Sequence, residues 1–166
     1  GDYVAGFVDG EGCFALNFRR DIRKERKNKP VYFYWDIQFA IVLRSDDHVV
    51  LEKIRNTLGC GTVNKPDKRG MIRYVVTNIN ELSDKIIPFF SKFQLHAKKR
   101  FDFELWKEAV NIFKRNQRLS INRKKGERGF HKVIWNDQDL KRLETIQNKM
   151  KDYKSRVKPW KWFKTT

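Results

Sequence analysis

Residues 3–14 read YVAGFVDGEGCF. The spacing predicts a helix over 2–9 that stops at glycine. A strand follows at once, because CFALNFRR (13–20) alternates, with Phe14, Leu16 and Phe18 on one face and Cys13, Ala15, Asn17 and Arg19 on the other. Two acids, Asp9 and Glu11, stand at the junction among Gly10 and Gly12. That is an unusual place for them. The macrodipole puts negative potential at a helix C-terminus, so the last turn ordinarily carries Lys or Arg.

Outward from this junction the chain alternates helix and strand signals. A charged loop, RDIRKERKNKP (20–30), leads to YWDIQFAIVLR (34–44), the clearest strand. Trp35, Ile37, Phe39, Ile41 and Leu43 share one face; Asp36, Gln38, Ala40, Val42 and Arg44 share the other. SDDHVVLEKIRNTLG (45–59) is a helix with Ser45 as N-cap and Gly59 as its stop. GTVNKP (61–66) and MIRYVVTN (71–78) are strands around a turn at 67–70. NELSDKIIPFFSKF (80–93) is a helix that Pro88 bends or ends. KKRFDFELWKEAVNIFKRN (98–116) is a helix with Phe101, Leu105, Ala109 and Ile112 on one stripe, and 136–153 is a last helix. The expected fold is α+β, in αββαββα order plus C-terminal helices: one four-stranded antiparallel sheet with helices on one face. It is expected as a single domain, 1–166, with a core over about 2–116 and a C-terminal basic loop, helix and tail over 117–166. The other face of the sheet is left to display Asn17, Arg19, Asp36, Gln38, Arg44, Asn64 and Arg73, side chains suited to base edges and phosphates.

Composition narrows the partner. Lys+Arg number 37 against 20 Asp+Glu, a formal net charge of +17. So much like charge repels itself, and a polyanion relieves it; nucleic acid is the expected partner. No run of about 18 apolar residues marks a membrane span. The hydrophobic fraction of 40% excludes disorder throughout. Cys13 and Cys60 lack CxxC spacing, which points to neither zinc nor a disulfide framework but to a reducing, intracellular compartment. His48, His96 and His131 form no metal-spaced pair. No signal-peptide pattern opens the sequence, and a start at Gly1 rather than Met leaves room for native residues upstream. The loop INRKKGERGFHK (121–132), with Lys124 and Lys125, and the tail VKPWKWFK (157–164) offer phosphate contacts and stacking rings.

VAGFVDGEG (4–12) resembles, position by position, the nine-residue signature of the LAGLIDADG homing endonucleases. Val4 takes the first place, Ala5 and Gly6 the second and third, Asp9 the sixth, Glu11 the eighth and Gly12 the last. The element order matches too, so the resemblance covers roughly residues 2–110. It implies a site-specific endonuclease that cuts both strands of a long pseudo-palindromic DNA target and is encoded by a mobile intron or intein. It implies a divalent cation, Mg²⁺ or Mn²⁺, with Glu11 as ligand and the Gly10 carbonyl beside it. Such cations take carboxylates, carbonyls and water, which gives acids at this helix end a use. Asp9 is a hydrogen-bonding residue of the turn. A catalytic Lys is implied before the helix that follows the second hairpin; in QLHAKKRF (94–101) the choice is Lys98, with His96 as the alternative. Members often carry Gln or another polar group at the end of the second strand, where this chain has Arg44 and Ser45.

Gly6 and Gly10, four apart, fall on one helix face and allow close helix approach. The family packs two motif helices this way. The motif occurs once here, so the implied assembly is a homodimer through Ala5, Gly6, Asp9 and Gly10. Double-stranded DNA is the expected partner, with intron RNA a further one and no membrane. The expected location is an organelle, chloroplast or mitochondrion, or a bacterial cytoplasm. The alternatives are an RNA-binding intron maturase and a non-catalytic DNA-binding regulator of the same fold; the presence of Glu11 argues against the regulator and against maturase function alone, and leaves a dual activity open.

Overall fold

The computed structural model describes residues 1–22, 31–119 and 135–155. Helix α1 (Asp2–Glu11) runs straight into strand β1 (Gly12–Ile22) with no loop between them. Gly12 makes the junction. Its backbone is extended (φ −71°, ψ 156°) and its N–H donates to the Val8 carbonyl. A Cβ at this position would lie 2.5 Å from Val8 Cγ1 and 2.8 Å from the Val8 carbonyl oxygen, so the turn closes only on a residue without a side chain. Gly12→Ala is therefore expected to destabilise the fold by about 1–3 kcal/mol, read as a lowered thermal midpoint; an unchanged midpoint would show that the turn relaxes freely.

Strand β2 (Val31–Arg44) pairs antiparallel with β1, from Gly12 opposite Ile41 to Ile22 opposite Val31. Both strands outrun their alternation pattern. Residues 20–22, expected in the charged loop, belong to β1, and β2 begins at Val31. The ladder is made by backbone groups, so pairing continues where side-chain patterning has faded. A 3₁₀ turn (Ser45–Asp47) leads into helix α2 (His48–Leu58). This corrects the N-cap reading: the Ser45 side chain caps nothing, its N–H donates to the Gly70 carbonyl at 2.8 Å, and Asp47 precedes the helix proper. Gly59 closes α2 in the left-handed region at φ 65°.

Strand β3 (Thr62–Val63) is shorter than expected; one further bond, from the Asn64 N–H to the Arg73 carbonyl at 2.8 Å, ties the chain to β4 before Pro66, which has no N–H for a ladder. Asp67 shapes the following turn, accepting from the N–H groups of Arg69 and Met71, each at 2.9 Å. Strand β4 (Met71–Val76) completes a four-stranded antiparallel sheet in the order β1-β2-β4-β3. Helix α3 (Ile79–Glu81), a π-helical turn (Leu82–Ile86) and helix α4 (Ile87–Lys92) then run on as one. Pro88 does not end this helix. It stands in the first turn of α4, beyond the wider π turn. Helices α5 (Lys99–Leu119) and α6 (Asp137–Ser155) follow. None of the helices among the described residues is long and apolar enough to cross a membrane.

The helices cover one face of the sheet. Phe14, three residues past Glu11, is the hub beneath them. Its ring lies 5.1 Å from Phe39, 5.7 Å from Phe90, 5.3 Å from Phe103 and 5.1 Å from Trp106. Burying a ring of this size contributes about 1.5–3 kcal/mol, so the α1–β1 junction is tethered to the densest part of the core. The buried stripe of α5 is Phe103, Trp106, Ala109 and Val110, with Ile112. This corrects the sequence reading: Phe101 is 44% exposed and Leu105 only half-buried. α5 rotates to seat Phe103 and Trp106 on Phe14.

Helix α6 adds Leu143, Ile146 and Met150 to the same core. Fully buried Asn116 fastens it. The Asn116 side chain donates to the Asp139 carboxylate at 2.8 Å and accepts from the Asn136 N–H at 3.0 Å, while Asn136 caps the helix by accepting from the Gln138 N–H. Arg115 beside Asp139, and Arg142 beside Glu108, hold those two carboxyls below the usual range. Gln147 Nε2 donates to the Leu16 carbonyl of edge strand β1 at 3.2 Å.

Candidate active site and nucleic-acid interface

The end of α1 answers the question its acids raise. No basic residue occupies its last turn. The free carbonyls of that turn are met instead from α5, 90 residues away in sequence. Lys99 Nζ donates to the Asp9 carbonyl at 3.1 Å and to the Gly10 carbonyl at 2.7 Å. An ammonium on the negative end of the helix restores the favourable dipole interaction.

The two acids separate into different tasks. Asp9 turns towards the segment before α5: its carboxylate accepts from the N–H of His96 at 2.7 Å and of Ala97 at 3.2 Å. It thereby fixes the start of α5 and, with it, Lys99. Glu11 is exposed and makes no hydrogen bond or ion pair among the described residues. An unpartnered carboxylate in a chain of net charge +17, next in sequence to the Gly10 carbonyl, is a donor set of the kind hard divalent cations take; that carbonyl here accepts from the Lys99 ammonium, which a divalent ion would displace. Taken alone the set is incomplete: among the described residues no three His, Cys, Asp or Glu gather into a metal cluster.

Lys98 is exposed at the residue before α5, and the structure gives its ammonium no contact with the α1 end; Lys99 holds that place. His96 enters only through its backbone N–H, and His48 pairs with Glu52 on α2 at 3.5 Å. Arg44 closes β2, exposed, 3.5 Å from Asp46. Lys124, Lys125 and the 157–164 tail lie outside the described residues, as does His131.

Register puts the remaining candidates together. Cys13, Ala15, Asn17 and Arg19 of β1 alternate with core residues and face away from the helices. So do Asp36, Gln38, Val42 and Arg44 of β2, Arg73 of β4, and Thr62 and Asn64 on the other edge. Asn17 stands opposite Asp36, Ala15 opposite Gln38, and Val42 opposite Arg73. This face begins at Gly12, so Glu11 sits at its margin.

Four residues were expected on the exposed side of α1. Gly6 and Gly10 are there: a Cβ at either would meet nothing within 4 Å. Tyr3, 67% exposed, continues the row. Ala5 is not, being buried at 4% exposure against this chain's own core, and the Asp9 carboxylate is turned to residues 96–97.

An αββαββα unit whose first helix ends in a solvent-facing acid at the rim of an open sheet defines a class, and comparison with known proteins gives its family. The chain belongs to the LAGLIDADG endonuclease family, whose model matches residues 4–110. It is 33% identical over 111 residues to the homing endonuclease I-ApeII of Aeropyrum pernix, covering 65% of this chain and 60% of that protein. It is 28% identical over 134 residues to a probable intron-encoded endonuclease of Neurospora crassa, covering 81% of this chain and 26% of that one. Among solved structures, I-SmaMI bound to an uncleaved DNA target in the presence of calcium ions superposes with a TM-score of 0.68 at 25% identity, over 90% of this chain and 44% of that chain. The chain thus spans less than two thirds of the length of these relatives.

Proposed function

We propose that this chain is a DNA-recognising, strand-cutting unit of a homing endonuclease, two copies of which flank one double-strand cut. One observation carries the reading: a solvent-facing, unpaired Glu11 adjoins the Asp9 and Gly10 carbonyls, which accept from the Lys99 ammonium, at the rim of a sheet face bearing Asn17, Arg19, Gln38 and Arg73. The I-SmaMI and I-LtrWI structures, described as bound to DNA, support it.

In this reading Glu11 and the Gly10 carbonyl would hold Mg²⁺ or Mn²⁺, the remaining ligands being water and the DNA phosphates. When bound, such an ion polarises the scissile phosphate and lowers the pKa of a water. The chain's own residues do the rest. Asp9 locks the start of α5. Lys99, held by the α1 carbonyls, stands ready to move onto the phosphate and stabilise its developing charge. The outward sheet face lies in the major groove and reads bases, while the +17 charge supplies affinity through phosphates.

The test is selection of cleaved sites from a randomised duplex library in Mg²⁺. Recovery of one long site with two related halves is expected. Uniform degradation, or no cleavage with binding retained, would favour a non-specific nuclease or a binding module.

A further inference from the structure

We propose that Asp36 is a positioning residue: it holds Arg19 so that the outer edge of the guanidinium reads a guanine. This rests on the reading of the sheet face as a DNA-recognition surface. Arg19 and Asp36 lie on that face as diagonal neighbours, since Arg19 stands opposite Tyr34 and Asp36 opposite Asn17. Arg19 Nε donates to Asp36 Oδ2 at 2.9 Å, with the two side chains 48% and 24% exposed.

The engaged atom matters. Guanine offers two acceptors in the major groove, O6 and N7, and arginine meets them with two parallel N–H groups. Binding through Nε leaves Nη1 and Nη2 available, with no hydrogen bond to either among the described residues. Arg69 is the contrast. It gives both Nε and Nη2 to Asp67 and serves its own turn. Stability does not explain the Arg19 pair, because an exposed ion pair contributes only about 0–1 kcal/mol. Nor does affinity, because a carboxylate on a face offered to a polyanion repels it. Orientation is what remains: an anchored arginine loses less side-chain freedom when it meets a base.

The experiment profiles binding to every single-base variant of the selected target, for wild type, Arg19→Ala, Asp36→Ala, Asp36→Asn and the Arg19→Ala/Asp36→Ala double variant. Wild type is expected to prefer guanine about tenfold or more at one position of each half-site. Asp36→Ala is expected to lose most of that preference at the same position, while binding to non-specific duplex holds or rises. Asp36→Asn keeps an oxygen for Nε and is expected to retain the preference. The double variant is expected to match Arg19→Ala alone. A merely structural role would shift the melting temperature and leave the base preference intact, which would overturn the inference. So would equal weakening of all targets by Arg19→Ala, the mark of a phosphate contact. Absence of any sequence preference in wild type would overturn the DNA-reading face itself, and this inference with it.

Discussion

Glu11→Gln is expected to abolish cleavage while leaving DNA affinity within a few-fold. The substitution preserves shape and removes one charge. Glu11 has no partner among the described residues and is exposed, so folding does not depend on it. The lost carboxylate would have faced phosphate, so binding does not weaken. What disappears is the charged ligand of the proposed cation site, worth a factor of at least about 10²–10³ in rate by analogy with other charge-stabilising groups. Replacing Mg²⁺ by Ca²⁺ in the wild type is expected to give the same pattern of binding without turnover, since Ca²⁺ accepts looser geometry. Neighbouring basic residues separate on the same assay. Lys99→Met is expected to slow cleavage strongly, because Lys99 stands on the Asp9 and Gly10 carbonyls. Lys98→Ala is expected to leave it within a few-fold. Time courses on plasmid substrate measure all of these, and a Glu11→Gln protein that cuts in Mg²⁺ at the wild-type rate would remove the cation site from the mechanism.

The separate fates of Asp9 and Glu11 show where sequence reasoning reaches and where it stops. The junction itself was legible. A helical period breaks at the glycines, a period of two begins at Cys13, and only Gly10, Glu11 and Gly12 lie between; the structure carries α1 on to Glu11, two residues past the expected end, and starts β1 at Gly12, which leaves no loop. The outward sheet face was legible for the same reason: with a strict period of two, one inward Phe14 or Phe39 assigns every neighbour. Pairing across elements was not. Lys98, Lys99 and Arg100 are consecutive bases, and only the point at which α5 starts decides which one turns back to α1. Similarly, α5 offers two overlapping apolar stripes, one through Phe101 and Leu105, the other through Phe103 and Trp106. The aromatic cluster on Phe14, assembled from four distant elements, selects the second. Asp36 was legible as a surface residue but not as the partner of Arg19, because a diagonal contact exists only once the register of two strands is fixed.

Gly6→Leu is expected to separate assembly from folding. Within one copy the substitution meets no obstacle, since a Cβ at Gly6 has nothing within 4 Å. A glycine inside a helix costs about 1 kcal/mol relative to Ala or Leu, so the isolated chain is expected to melt slightly higher, not lower. Nothing packed against Gly6 within the monomer requires a glycine there, whereas a close pair of α1 helices would. The exposed side of α1 is a row of Tyr3, Gly6 and Gly10 without a charge, the surface two helices need to approach at near-backbone distance. In a two-fold pair each Leu would enter the other helix. Overpacking costs about 1–3 kcal/mol per site, so about 2–6 kcal/mol for the pair, weakening association between roughly thirty-fold and twenty-thousand-fold. The expected outcome is a dimer of about twice 20.0 kDa for wild type and a well-folded monomer for the variant. On DNA the variant would nick single strands and rarely complete a double-strand break. Sedimentation with and without the selected duplex, beside a nicked-versus-linear plasmid assay, reads both. A wild-type chain that stays monomeric at micromolar concentration and on its target would mean that the α1 face does not join two copies of this chain.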